Sequence, residues 1–485
     1  MLALGEGLLQ YQNQGFISFH TPGHKGKREF FEGLHFPEQD LTELPGLDML
    51  HAPEGVIAQA LERASEVFKS DASFFLINGA TAGNQAMFMA LANSMASSSK
   101  GLRKRVLIER QSHRSVMSAL VLSGLEPEYI PLIVHPEFKL PLGLELEGLS
   151  PLWERVQAVH LTYPGYYGSL PDLHRLVEER DSIAPQVSIF VDQAHGSHYL
   201  NALFPPGALD LGADLVLHST HKTLSALTQA AMLHVQGGRV QISAVRQALE
   251  LLQSSSPSYL LMASLERAVE YALETTRWEL LHEAVHDLHY RAGRIVRILN
   301  PEDKGIYGIS ELDWSKILVN TSSLGVSAPL CVEHLREKYR VEPELWDEEN
   351  ILFLLGIGNT PEEVRILTEG LLSLGEFKKD KGFLTRENSR HQEGYQPWLE
   401  GYRIPLPPMR LSPRRAFLAH KRRVPLKESL GKVLGESISP YPPGIPLIVM
   451  GEEMTPEVLE VLATRRGRWQ GWEDPGRTVW VIEEE

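Results

Sequence analysis

The strongest constraint on this chain is a series of short apolar runs. Each is followed by a polar or glycine-bearing turn, and most turns open onto helical spacing. Phe74-Phe75-Leu76-Ile77 runs into Asn78-Gly79-Ala80-Thr81-Ala82-Gly83-Asn84, and then into a helix built on Met87, Phe88, Leu91 and Met95. Arg105-Val106-Leu107-Ile108-Glu109 ends at Arg110-Gln111-Ser112-His113-Arg114-Ser115, which opens another helix. Residues 158–162 lead to the turn 163–168, and 187–191 lead to Asp192-Gln193-Ala194-His195-Gly196. Residues 214–218 deliver Ser219-Thr220-His221-Lys222-Thr223-Leu224, and 230–235 read as a return strand. Short continuous apolar runs suit strands buried on both faces. Their alternation with helices implies βαβ units: an α/β chain, a mostly parallel sheet with helices on both faces. Open sheets of this kind bind ligands beyond the carboxyl ends of their strands.

The residues at those ends are therefore candidates as a set. At Gly79, Ala80 and Thr81 a strand, a glycine turn and a helix N-terminus make an anion site from free N–H groups and the helix dipole, with a hydroxyl from Thr81. His113 sits at a strand-to-helix junction. Asp192 ends the most apolar run, where a buried carboxyl needs a partner, and a protonated pyridine nitrogen would be one. Lys222 becomes reactive if its amine is desolvated or flanked by positive charge. A neutral lysine amine condenses with aldehydes, of which pyridoxal 5′-phosphate (PLP) is the commonest cofactor. Ser219 and His221 carry the hydrogen-bonding groups a phosphate needs. Taken singly, each also suits an ordinary loop; their shared position carries the signal.

At 485 residues the chain has room for about three domains. Cys331 is the only cysteine, so intramolecular disulfides and a multi-cysteine metal site are excluded, and no metal is expected. A net charge of −15 argues against nucleic acid as a partner. There is no apolar run long enough for a membrane helix. No basic and apolar leader pattern opens the sequence, so a cytoplasmic protein is expected. Residues 1–15 read as a helical lead-in. Stretches 19–26 and 47–55 read as irregular loops able to line a pocket, and 57–69 as a helix. Residues 250–300 read as helical, starting after Ser254-Ser255-Ser256-Pro257. In 314–365, strands at 317–319 and 351–355 alternate with helices such as Ala328–Tyr339. Residues 376–398 read as a linker and 404–408 as a stiff stretch. A last segment from 439 carries a strand at 447–449 and a helix at 456–466. The boundaries drawn from this are 1–45, an N-terminal segment; 46–260, a large cofactor-binding domain; 261–375, a small α/β domain; and 376–485, a C-terminal domain.

Assembled in order, Gly79-Ala80-Thr81, His113, Asp192-Gln193-Ala194-His195 and Ser219-Thr220-His221-Lys222 resemble the PLP-dependent ornithine/lysine/arginine decarboxylases of the aspartate-aminotransferase fold (PLP fold type I). Thr21-Pro22-Gly23-His24-Lys25-Gly26, Met409-Arg410-Leu411-Ser412-Pro413-Arg414 and Tyr441-Pro442-Pro443-Gly444-Ile445-Pro446 are similar to further stretches of that family. Leu50-His51-Ala52-Pro53 and the short segment before residue 46 most resemble the compact biosynthetic arginine decarboxylases, which lack the wing domain of the acid-stress enzymes. The resemblance implies that Lys222 bonds the cofactor aldehyde and that Asp192 holds the pyridine nitrogen protonated. His113 would stack on one ring face and Ala194 pack on the other. Gly79, Ala80, Thr81, Ser219 and His221 would hold the phosphate, with Ala80 standing where some members have a hydroxyl. His195 would lie near the departing carboxylate or the ring hydroxyl. Ser255 would reach the phosphate of a neighbouring subunit, which implies a homodimer or larger assembly with shared sites. The implied reaction is decarboxylation of a basic L-amino acid, with arginine giving agmatine for polyamine synthesis. Asp48 and Glu54 are candidate guanidinium readers. Lysine or ornithine as substrate, an aminotransferase reaction, and an inactive regulatory protein on the same fold are the alternatives.

Overall fold

The computed structural model describes residues 12–36, 39–96, 104–380, 405–441, 445–464 and 468–483. The apolar runs form one seven-stranded sheet in the order Ala72–Leu76, Ala231–Val235, Leu215–His218, Ser188–Asp192, Ala158–Thr162, Arg105–Glu109, Glu126–Ile130. Only Ala231–Val235 runs antiparallel to its neighbours. Successive side chains along these strands enter two different cores. Val159, Ile189, Val191 and Val216 join one. Ala158, Phe190, Leu215 and Leu217 join the other. Burial on both faces explains why the runs are apolar without alternation. On the second face the helices Gly79–Ala96, Arg114–Ser123 and Ile242–Leu252 pack side by side.

A second sheet orders Arg297–Ile298, Lys316–Asn320, Asn350–Leu354 and Leu345–Trp346, all antiparallel. Strand Ile17–Phe19 pairs in parallel with Val341–Pro343. The following loop is wedged between this smaller sheet and the lysine turn. Gly23 donates its N–H to the His221 carbonyl at 2.7 Å, and Gly358 donates to the Gly23 carbonyl at 3.0 Å. A Cβ on Gly23 would stand 2.5 Å from the Thr223 carbonyl carbon, so only glycine fits there. Stretch 21–26 thus backs the lysine turn rather than lining a pocket. The C-terminal residues build a separate core around Val424, Ile438, Ile448, Val458 and Val481. They are seated on the large sheet by Arg110, whose guanidinium makes two bonds to Glu452 (2.7 and 2.9 Å) and one to the Leu447 carbonyl (3.1 Å).

The structure corrects several expectations. Residues 447–449 are not a strand. Ile448 makes an isolated bridge to Ile438, while side chains take the next two donors: Glu452 accepts from the Val449 N–H and Ser437 from the Met450 N–H. The helical stretch expected after Pro257 is preceded by Ile242–Leu252 and closes with the strand Arg297–Ile298. The expected linker overlaps a helix, Pro361–Asp380, and its remaining residues lie outside those described. Most of the lead-in 1–15, residue 404 of the stiff stretch and residues 442–444 also lie outside them. Among the described residues, no helix is long and apolar enough to cross a membrane.

Candidate active site

The carboxyl ends of the parallel strands open on a cleft of about 390 Å³. Its walls include Gly79, Ala80, Thr81, His113, Asp192, Ala194, His195, Ser219, His221 and Lys222, brought from separate turns. Asp192 is itself the last residue of its strand, and its neighbour Leu215–His218 ends one turn before Lys222.

Lys222 and Asp192 are each held by neighbours that sequence reasoning supplied only in part. The Lys222 Nζ lies 3.0 Å from His195 Nε2. Burial lowers the lysine's affinity for its proton, against Asp192 and Glu344, which favour the charged form. Burial, then Lys222 and Lys316, push His195 well below the usual histidine range. A neutral His195 accepts from the lysine. Asp192 accepts from the Ala194 N–H at 3.1 Å and from Asn84 Nδ2 at 2.8 Å. Asn84 also donates to Ser115 Oγ at 2.9 Å, and its Oδ1 faces His160 Nε2 at 3.1 Å. Because Asn84 gives its amide hydrogens to Asp192 and Ser115, its oxygen accepts, and His160 carries its proton on Nε2. Ser115 Oγ then donates to His113 Nδ1 at 2.8 Å, and the Ser115 N–H caps the helix on that same nitrogen at 3.2 Å. One network therefore orients both the Asp192 carboxylate and the His113 ring.

At the other end of the cleft the helix Gly79–Ala96 points its N-terminus inward. Gly79 has φ +77°, a conformation that favours glycine. The hydroxyls of Thr81, Ser219 and Thr228 share this end. The His221 Nδ1–H is given to the Ala230 carbonyl at 3.1 Å. Burial, only partly offset by that bond, holds the ring down to about 4, so Nε2 must take up a proton before it can donate to an anion. The cleft also carries buried polar atoms, Ser112 Oγ and His195 Nδ1, with no hydrogen-bond partner among the described residues. An anion cradle, a desolvated amine, a buried carboxylate and orphaned polar atoms in one cleft suit a flat phosphate-bearing cofactor with an aldehyde and a basic ring nitrogen.

Comparison with known proteins agrees with this geometry. The family profile "Orn/Lys/Arg decarboxylase, major domain" matches residues 3–303, and the profile of that family's C-terminal domain matches 400–466. This chain belongs to the Orn/Lys/Arg decarboxylase family. It is 33% identical to the Bacillus subtilis protein YaaO, over 95% of this chain and 93% of that one. It is 30% identical to an arginine decarboxylase of Halalkalibacterium halodurans, over 99% and 97%. Among solved structures, lysine decarboxylase A from Pseudomonas aeruginosa superposes with a TM-score of 0.73 at 22% identity, covering 98% of this chain and 80% of that one.

Within this decarboxylase some expected residues stand elsewhere. Ser255 is exposed and lies outside the cleft of its own chain. Asp48 is not among the residues that line the cleft. Its carboxylate accepts from the N–H groups of Met49, Glu54, Gly55, Ile57 and Ala58, at the start of helix Val56–Phe68. Desolvation works against its ionisation, but these backbone bonds override it and hold the group at about 2. Glu54 is exposed and off the cleft. Asn84, His160, Ser115, Tyr166 and Thr228 were not anticipated. His160 had a signal: a lone polar residue inside Ala158–Thr162, a strand buried on both faces, needs a partner.

Proposed function

We propose that this decarboxylase holds PLP in the Lys222 cleft and removes the α-carboxyl group of L-arginine, giving agmatine and CO2 for polyamine synthesis in the cytoplasm. The observation that carries the cofactor assignment is the placing of Lys222 and Asp192 at adjacent strand ends in one cleft. The substrate assignment rests on near-full-length relatives named arginine decarboxylase. When bound, the cofactor supplies a cationic ring that accepts the electrons of the breaking Cα–carboxylate bond. Lys222 would hold the cofactor through its aldehyde, with the amine as the group the substrate's own amine would replace. His195 takes the hydrogen bond from Nζ, which leaves the amine lone pair free to react. Asp192, oriented by Asn84, keeps the proton on the ring nitrogen, an electrostatic role typically large in catalysis. His113 and Ala194, which both line the cleft, would flank the ring. Helix N–H groups at Gly79-Ala80-Thr81, with Ser219, hold the phosphate.

The exposed rim at Asn78, Thr81, His113 and Thr228 suits cover by a second chain. We assign Ser255 to that contact, in a homodimer or larger assembly. The division at residues 45, 260 and 375 is kept on the same reading, supported at its last boundary by the separate core of the C-terminal segment. Borohydride reduction followed by peptide mapping is expected to mark the Lys222 peptide, and a mark on another lysine sinks the cofactor assignment. Decarboxylation of arginine, lysine and ornithine, compared at equal sub-saturating concentrations, should favour arginine. Faster turnover of either rival overturns the substrate.

A further inference from the structure

Lys316 has no part in the chemistry above, yet it is the smaller sheet's direct link to the site. It opens the strand Lys316–Asn320 and is 4% exposed. Its Nζ donates to the carbonyls of Gly165 and Tyr166, each at 3.1 Å. A buried ammonium held by neutral carbonyls is an expensive group to keep, and a hydrophobic residue would fill the space at lower cost. The turn it holds is fitted to it. Gly168, at φ +96°, packs so closely that a Cβ would come within 2.9 Å of Lys316 Cβ.

That turn presents Tyr166 to the cleft. The tyrosine hydroxyl donates to Glu344 Oε1 at 2.9 Å, so the smaller sheet grips the residue by its backbone and by its phenol. The ring stands edge-on to His195, with centroids 5.1 Å apart, and His195 Nε2 is the atom 3.0 Å from Lys222 Nζ. The same cation stands electrostatically close to the reactive amine. Burial, opposed by Asp313 and reinforced by Lys222, drives Lys316 down to about 7. Glu344 pulls the other way on both lysines. Lys222 thus disfavours the ammonium form of Lys316, whereas burial, Asp192 and Glu344 set the balance at Lys222 itself.

We propose that Lys316 is a positioning residue for the Lys222 amine: it fixes the 165–168 turn, and through it the Tyr166–His195 pair that meets Nζ. This holds only with Lys222 as the cofactor-bearing lysine assigned above. The arrangement couples the smaller sheet to the reactive amine without any atom of that sheet's strands entering the cleft.

The test uses the full-length enzyme stripped of cofactor, with the pH dependence of Lys222 acetylation read by peptide mass spectrometry. In Lys316→Met the protonation midpoint of Lys222 should fall by about half to one pH unit, because a displaced His195 no longer accepts from the ammonium, and in Lys316→Arg, whose guanidinium can hold both carbonyls, it should return to the wild-type value. In the cofactor-loaded enzyme, Lys316→Met should lower kcat by roughly tenfold with little change in KM. An unmoved midpoint in a folded Lys316→Met enzyme overturns the inference while leaving Lys222 in place. So does a shift that Lys316→Arg fails to reverse. If neither Lys316→Met nor Lys316→Gln melts cooperatively, Lys316 is a core strut and the inference falls. A borohydride mark away from Lys222 removes the parent assignment instead, and the two failures are distinguishable.

Discussion

At the scale of single residues, a group was legible where it broke a pattern. Asp192 and Lys222 follow apolar runs, and a charge there contradicts its surroundings enough to demand a function. Asn84 breaks nothing. It lies in the second turn of a helix whose first turn already explained the glycines, and amide side chains are common on helices. Its importance depends on Asp192, His160 and Ser115, brought to it from two other strands and a helix. Glu109 ends an apolar run as Asp192 does and so carried the same signal, though it was not read as a candidate. Burial, opposed by bonds from Thr162 and Gln111 and reinforced by Asp192, lifts it to about 7 from an ordinary 4.5. The folded chain therefore holds a proton that the unfolded chain releases above pH 4.5. This contribution to stability is full below that pH and declines as pH rises to 7. Glu109→Gln, which cannot ionise, should match the wild type near pH 4.5 and exceed it by up to about 3 kcal/mol at pH 8. Urea unfolding of the cofactor-free protein at the two pH values measures this, and an advantage independent of pH would refute the account.

At the scale of elements, the large sheet was readable because burial on both faces writes itself into composition. The smaller sheet was readable only as scattered strands, since its order joins Arg297–Ile298 to partners well downstream. The failure at 447–449 has the same root: an apolar triplet cannot say whether its N–H groups will meet a strand or a side chain such as that of Glu452. Asp48 shows a carboxylate mistaken for a ligand reader because a loop acid and a helix cap look alike in sequence. Its removal is now expected to act on the fold. Asp48→Ala should lower stability by about 1–2 kcal/mol, the usual effect of losing a helix cap, and leave KM for arginine within about twofold. Thermal melts and steady-state kinetics decide between the two roles. A tenfold rise in KM at unchanged stability would restore the reader.

At the scale of the whole molecule, the C-terminal core is fastened to the large sheet by the buried pair of Arg110 and Glu452. Removing one partner strands the other in a dry interface. Arg110→Met should destabilise the protein by roughly 3–5 kcal/mol, and the double change with Glu452→Met should recover much of that loss. Denaturant melts of the three variants test this; equal losses in single and double variants would show that the pair is not the fastening. The N-terminal strand has a different consequence, in time. Ile17–Phe19 leaves the ribosome before the other described strands, but its partner Val341–Pro343 is made long afterwards, and the Thr21–Glu344 bond spans 323 residues. At about 5–20 residues per second, that is a wait on the order of half a minute. All strands of the large sheet exist by then, with the Lys222 turn after one of them, but the loop that backs the lysine still lacks its second wall at Gly358. Synthesis itself thus acts as a clock on this enzyme: a nascent chain can fold its largest sheet early, yet its reactive lysine gains its backing only when most of the protein has been made.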